Sequence, residues 1–268
     1  MLLFLLMYAV LGIVAGLLAG LLGIGGGIVI VPMLHFAFEI QQFPPEVAHK
    51  LALGTSMASI VFTAISSALA HHRRGGVIWL AVRNITPGIL LGTFLGSYLA
   101  ARLPAHYLQI IFVIFLSYVI YSMLVGNKPK PSRHLPGIAG MSCAGGGIGL
   151  LSSLVGIGGG TISVPYLLWH NVEMRNAVGT SAAIGFPIAV GGCLGYILNG
   201  IGVPLRPDYS LGFIYLPCLI PLVIMSMLTA PLGARIAHAI PVPLLKKCFA
   251  LLLCCVAIKM LLAALDEF

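Results

Sequence analysis

Eight stretches of this chain, each about 20 residues long, hold almost nothing that could face water. They are 2–22, 51–70, 82–103, 107–126, 137–155, 177–198, 211–232 and 244–265. A helix needs about 20 mostly apolar residues to cross a bilayer core of about 30 Å. Only 7% of the chain is charged and 60% is hydrophobic, whereas soluble domains run at about 25% charged. A soluble enzyme, a disordered chain and a nucleic-acid-binding domain are excluded on that ground. A barrel is disfavoured, since its strands alternate apolar and polar over about ten residues and these runs are continuous. The fold class is an all-α polytopic membrane protein. The first stretch lacks a basic n-region and is read as a retained span, not a signal peptide.

The chain repeats itself. GLLGIGGGIVIVPML at 20–34 matches SLVGIGGGTISVPYL at 153–167, at an offset of 133. LALGTS at 51–56 matches NAVGTS at 176–181, and LGSYLAARLPAHYLQIIF at 95–112 matches LGARIAHAIPVPLLKKCF at 232–249. Three blocks in one order predict two homologous transmembrane repeats, 1–126 and 137–268, joined by a basic linker at 127–136. The repeats are parallel with four crossings each, or inverted if 28–38 and 161–169 complete a fifth pass. Both readings stay open. At about 1.5 Å per residue these two pieces are too short to cross as helices.

The GIGGG blocks predict broken or re-entrant segments. Each interior glycine costs about 1 kcal/mol relative to alanine, and Pro32 and Pro165 further disfavour helix continuation. Broken backbone inside a membrane is tolerated only beside protein or a water-filled cavity. The free N–H groups of Gly25, Gly26, Gly27, Gly158, Gly159 and Gly160, at the start of a short helix, make a candidate anion site. The competing reading is close helix packing through glycine. Thr55, Ser56, Thr180 and Ser181 add hydroxyls. Lys50 and Arg175 add a cation four residues before each GTS glycine, where a bound anion would relieve the helix dipole; alternatively they snorkel to head groups. His35, His49 and His170 read as interfacial, and Trp79 and Trp169 suit an aromatic belt. Lys259 lies within the last span, as a functional candidate or a snorkelling cation.

Asp and Glu are absent from the spans apart from Asp266 and Glu267 just beyond the last, which argues against cation handling. The six cysteines form no CxxC and read as packing residues. No catalytic or metal-binding constellation is present, and no cofactor is expected. The formal charge of +8 reads as loop bases. Under simple alternation of eight spans they place both termini weakly in the cytoplasm. The partners expected are the bilayer and a small anionic substrate, with proton coupling an open possibility and no role for nucleic acid.

Through GIGGGIVIVP, GIGGGTISVP, the two GTS blocks and the GARIAHAIPVPLLKKCFALLLCCVAIKMLL ending, the chain resembles the sulfite exporter TauE/SafE family, also called the four-toluene-sulfonate uptake permease family. The resemblance covers essentially the whole chain. One departure is LPAHYLQ in the first repeat against IPVPLLKK in the second. The resemblance implies secondary transport, often export, of sulfite or a small organosulfonate such as sulfoacetate, in a prokaryotic cytoplasmic membrane. A passive anion channel and a non-transporting membrane scaffold are the alternatives, and a membrane enzyme is not expected.

Overall fold

Continuous apolar sequence makes continuous helix here, because a bilayer offers the backbone no partner but itself. The structure, a computed structural model, describes residues 2–22, 26–125, 135–239 and 241–266. It has ten helices among these residues: α1 Leu2–Leu22, α2 Gly27–Ile40, α3 Pro45–Arg73, α4 Trp79–Arg102, α5 Ala105–Val125, α6 Ile138–Val155, α7 Gly160–Trp169, α8 Met174–Gly200, α9 Leu216–Ala239 and α10 Val242–Asp266. A two-residue hairpin, β1 Ser210–Leu211 with β2 Ile214–Tyr215, precedes α9. Seven of the eight expected stretches are helical almost throughout, while 211–232 becomes helical only at Leu216, after the hairpin; seven of the helices that carry these stretches are long and apolar enough to cross a membrane. The eighth, α4, carries Arg83, Asn84 and Arg102 and packs in the same layer beside α6 and α8. Most of the linker expected at 127–136 lies outside the described residues.

The short segments are helices of 14 and 10 residues, about 21 and 15 Å long. Neither crosses. The Tyr8 hydroxyl donates to Gln41 Oε1 at 2.7 Å, and Gly26 lies against Ala15 and Ala19. So α2 turns back along α1 and leaves at the end where α1 began. The pair α6 and α7 is laid out in the same order. Pro32 and Pro165 do not stop these helices, contrary to expectation; each is the sixth residue of its helix. Their missing N–H leaves the carbonyls of Ile28 and Thr161 without the usual helical donor.

Close glycine contacts fix the helix directions. Gly12 lies against Leu222 and Gly16 against Ser226, so α1 and α9 run parallel. Gly88 lies against Ser142 and Gly92 against Gly146, so α4 and α6 do too. On α3 and α8, Gly54 meets Tyr196 while Met57 meets Gly192, which is antiparallel. Exchanging α1–α5 with α6–α10 maps α1/α9 onto α6/α4, and α3/α8 onto itself. Each of α1–α5 and α6–α10 begins with a long and a short helix and continues with three long helices. Both described chain ends lie at one end of the molecule, and α5 stops and α6 begins at the other.

Candidate functional site

The glycine turns are built for two helix ends in five residues. Gly156 closes α6 at φ 74°, and its N–H and that of Ile157 both turn back to the Ser152 carbonyl. Three residues on, Gly159 opens α7 at φ 73°, and Gly26 opens α2 at the same φ. Side chains rarely tolerate this left-handed region, so glycine is the residue that permits the break. No side chain caps either start. The leading N–H groups of α7, from Gly160 and Thr161, therefore belong to the set a helix leaves free.

The two turns meet. A Cβ on Gly27 would lie 2.9 Å from the Gly156 carbonyl oxygen and 3.0 Å from Ile157 Cα. Ile60, near the middle of the 29-residue α3, touches both Gly27 and Gly158. Near the middle of α8, Gly185 lies by the Gly158 carbonyl and Ile188 by Gly159. The breaks thus sit at the depth where the two longest helices cross, within the protein, as broken membrane backbone requires. Gly25 lies outside the described residues.

Each residue of the GTS blocks has a separate task. Gly54 admits the Phe213 backbone, and Gly179 admits that of Gly76. The Tyr215 N–H donates to Thr55 Oγ1 at 3.0 Å, and the Ile78 N–H donates to Thr180 Oγ1 at 2.9 Å. Each threonine therefore holds the loop that starts the fourth helix of the other half. These two hydroxyls are committed to that clamp, which differs from their expected place along a substrate path. Ser56 faces the turn itself, donating to the Gly156 carbonyl at 2.8 Å. Its counterpart Ser181 is buried and has no hydrogen-bond partner. Ser181 shares a face of α8 with Gly185, one turn on, and so looks toward Gly158.

Lys50 and Arg175 are not brought to the turns. Lys50 Nζ donates to the Ala101 carbonyl at 2.8 Å at the end of α4, and Arg175 Nη2 donates to the Arg74 carbonyl at the end of α3. Each stands ten positions before the residue that meets a turn, Ile60 or Gly185, about 15 Å along the helix. Both bases satisfy last-turn carbonyls, where cations are favoured.

Ser181 is expected from the sequence, but not the three hydroxyls that stand with it around the second turn, Ser152, Thr161 and Ser163. Ser152, Thr161, Ser163 and Ser181 all keep hydroxyls without a partner. A Cβ on Gly159 would lie 3.3 Å from Ser163 Oγ and 3.6 Å from Ser152 Oγ, and both serines are fully buried. Buried polar groups are ordinarily paired, so these four hydroxyls stand apart from bonded ones such as those of Ser56 and Tyr196. Hydroxyls and backbone N–H groups can all donate, which suits an oxyanion. The signal was present in the repeat alignment. Where the second half has Ser152, Thr161 and Ser163, the first has Ala19, Ile28 and Ile30.

The family model of the sulfite exporter TauE/SafE family matches residues 8–260. A "probable membrane transporter protein" of Haemophilus influenzae is 40% identical over 97% of this chain and 98% of its own length. The "probable membrane transporter protein YdhB" of Bacillus subtilis is 30% identical over 84% of this chain and 87% of its own. A "probable membrane transporter protein" of Methanocaldococcus jannaschii is 28% identical over 89% and 88%. No solved structure matches the chain. The paired glycine breaks, the polytopic helical architecture and a match over nearly the whole chain lead to one assignment: this membrane transporter belongs to the sulfite exporter TauE/SafE family.

Proposed function

We propose that the protein is a secondary transporter that exports a small oxyanion, of the sulfite or small organosulfonate class, across the cytoplasmic membrane. The observation that carries this reading is the set of unpartnered hydroxyls of Ser152, Thr161, Ser163 and Ser181 beside the free N–H groups of α7. The helix dipole adds positive potential at that point. The first glycine turn, with Gly26 and Gly27, forms the opposing wall, and Gly158, Gly159 and Gly160 form the floor. Two homologous inverted repeats, 1–126 and 137–268, rock about this fixed site to expose it alternately. The sulfur chemistry comes from the family and the anion preference from the donor set.

Orientation follows from charge. With the helix directions above, seven of the eleven Lys and Arg among the described residues belong to segments at the end where α5 stops and α6 begins: Arg73, Arg74, Arg83, Arg175, Arg235, Lys246 and Lys247. Lys50, Arg102, Arg206 and Lys259 belong to the other. Basic loops stay in the cytoplasm, so the termini face outward in this reading. That replaces the cytoplasmic termini expected from simple alternation, because the α1–α2 hairpin returns the chain to the end it started from.

The test is flux in proteoliposomes of purified protein, with sulfite, thiosulfate, sulfoacetate, sulfate and chloride, each with and without a pH gradient. Saturable movement of one sulfur anion, lost in a Ser152→Ala/Ser163→Ala protein that remains folded, is the expected result. Movement of none of the five would overturn the anion reading. Non-saturable, gradient-independent flux would make the protein a channel.

A further inference from the structure

We propose that His35 and His49 form a proton-binding site, entered from the end of the molecule that holds both termini. Its use as the coupling site rests on the transport reading above; proton binding itself does not.

The two rings lie where the third turn of α2 crosses the first turn of α3. They meet edge to face with centroids 5.1 Å apart. Relative exposure is 1% for His35 and 0% for His49. No ring nitrogen of either has a hydrogen-bond partner. A neutral imidazole always carries one N–H and one bare nitrogen. Four ring nitrogens are therefore buried without a hydrogen bond in one contact, in a molecule where deep hydroxyls such as those of Ser56 and Tyr196 are bonded. These histidines are not interfacial, as their positions in the sequence suggested.

A route leads from water to His35, against which His49 packs. A cavity of about 410 Å³ is lined by His35, Phe36, Glu39, Phe43 and Lys259 among others. Half-exposed Glu39 stands at its mouth, with Oε1 3.4 Å from His35 Nε2. That is long for a hydrogen bond between neutral groups and within ion-pair range once the ring is charged. Carboxylate, first imidazole and second imidazole thus run from water to the interior. The charged groups that face the pair come from three helices. They are Glu39 on α2, Lys50 on α3 next to His49, and Lys259 on α10, which faces His35 and lies 3.9 Å over the Phe36 ring. From α5 the neighbour of His49 is the ring of Phe112. The occupant is a proton: each imidazole has a bare nitrogen to take one, Glu39 stands beside His35 to stabilise the charge, and no group of three His, Cys, Asp or Glu that could hold a metal ion exists among the described residues.

Position supplies the consequence. The glycine turn is at one end of α2 and His35 is toward the other. Charging the ring draws Glu39 of the same helix toward it and changes how α2 seats against His49 on α3, and a stiff 14-residue helix carries that change to Gly27, which touches the second glycine turn. A two-state element biased from both ends is the physical requirement for coupling. The second half has Leu168 and Met174 at the matching positions. Each half is therefore specialised, one for the proton and one for the anion.

The experiment uses purified full-length protein with His35→Gln, His49→Gln, Glu39→Gln and Lys259→Gln variants. Thermal stability is measured between pH 5 and 8, and anion flux with and without a pH gradient of one unit. Such a gradient supplies up to about tenfold accumulation per coupled proton. Wild type is expected to show a pH-dependent melting temperature and a gradient-stimulated flux; both histidine variants are expected to flatten the first and bring the flux ratio to about one. Should the histidine variants fail to fold, the two mouth variants decide: they move the pH midpoint in opposite directions, because they remove opposite charges. A pH response of stability that survives in both histidine variants, or an unmoved midpoint in both mouth variants, overturns the proposal. If no anion moves in wild type but the Glu39→Gln and Lys259→Gln variants still move the pH midpoint in opposite directions, the transport reading fails and the proton site stands.

Discussion

Ser163 and Ile30 hold matching places in the two halves, and the contrast locates the polar ligand. The sequence pattern around them is otherwise shared, so backbone geometry is conserved while chemistry differs. Replacing Ser152 and Ser163 by alanine removes two buried oxygens that bond to nothing. Deleting an unpaired buried hydroxyl is neutral or stabilising. The double variant should keep or raise its melting temperature while losing at least about tenfold in flux, a loss of about 1.4 kcal/mol at the transition state. A lower melting temperature with unchanged flux would mean the serines are structural. Thr55→Val should do the reverse. It strands the Tyr215 N–H, costs about 1–3 kcal/mol, and lowers the melting temperature in detergent; Thr55→Ser should restore it.

At the scale of helices, the molecule is held by small residues. Membrane helices gain no hydrophobic drive from meeting one another, so close backbone approach and dispersion supply the attraction. Gly88, Gly92 and Gly96 form one such seam on α4 against α6, and a Cβ on any of them would overlap a backbone or side-chain oxygen there. Gly12 and Gly16 do the same on α1 against α9. Gly92→Ala should therefore cost about 1–3 kcal/mol through overpacking, read as a lower melting temperature. Gly147 lies in the interior of α6 with open space at its Cβ. Gly147→Ala should be neutral or stabilising by up to about 1 kcal/mol. Equal effects from the two substitutions would show that the seam does not hold the helices. Glycine-driven packing and a glycine-built turn thus both occur in this chain. They are separated by conformation: seam glycines are helical, whereas Gly26, Gly156 and Gly159 have positive φ.

At the scale of the whole molecule, one hairpin decides which way everything faces. If α1 crossed and the chain continued from the far side, the basic residues would be nearly evenly divided. Because α2 returns, they gather at the end away from the termini. A C-terminal alkaline phosphatase fusion should be active and a C-terminal green fluorescent protein fusion dark in a bacterial host. The opposite pair of results would reverse the orientation and turn the His35 cavity toward the cytoplasm.

The membrane class, the helical stretches and the two breaks were legible in the chain, because apolar length and glycine content act locally on the backbone. The duplicated blocks also pointed to two halves. Direction was not legible: the return of α2 along α1 depends on the Gly26 conformation and on packing against Ala15 and Ala19. Nor was the fate of polar side chains. Thr55 and Lys50 looked like ligand groups from their spacing, but Tyr215 and Ala101, far away in sequence, take up their hydrogen bonds. Ser152 and Ser163 looked like ordinary helix residues until folding buried them without partners. What enters the membrane and where the helices break depend on neighbours along the chain, so the order of residues is enough to set them. Which polar atoms stay without a hydrogen bond depends on whether a distant segment arrives to satisfy them, so that is settled by folding.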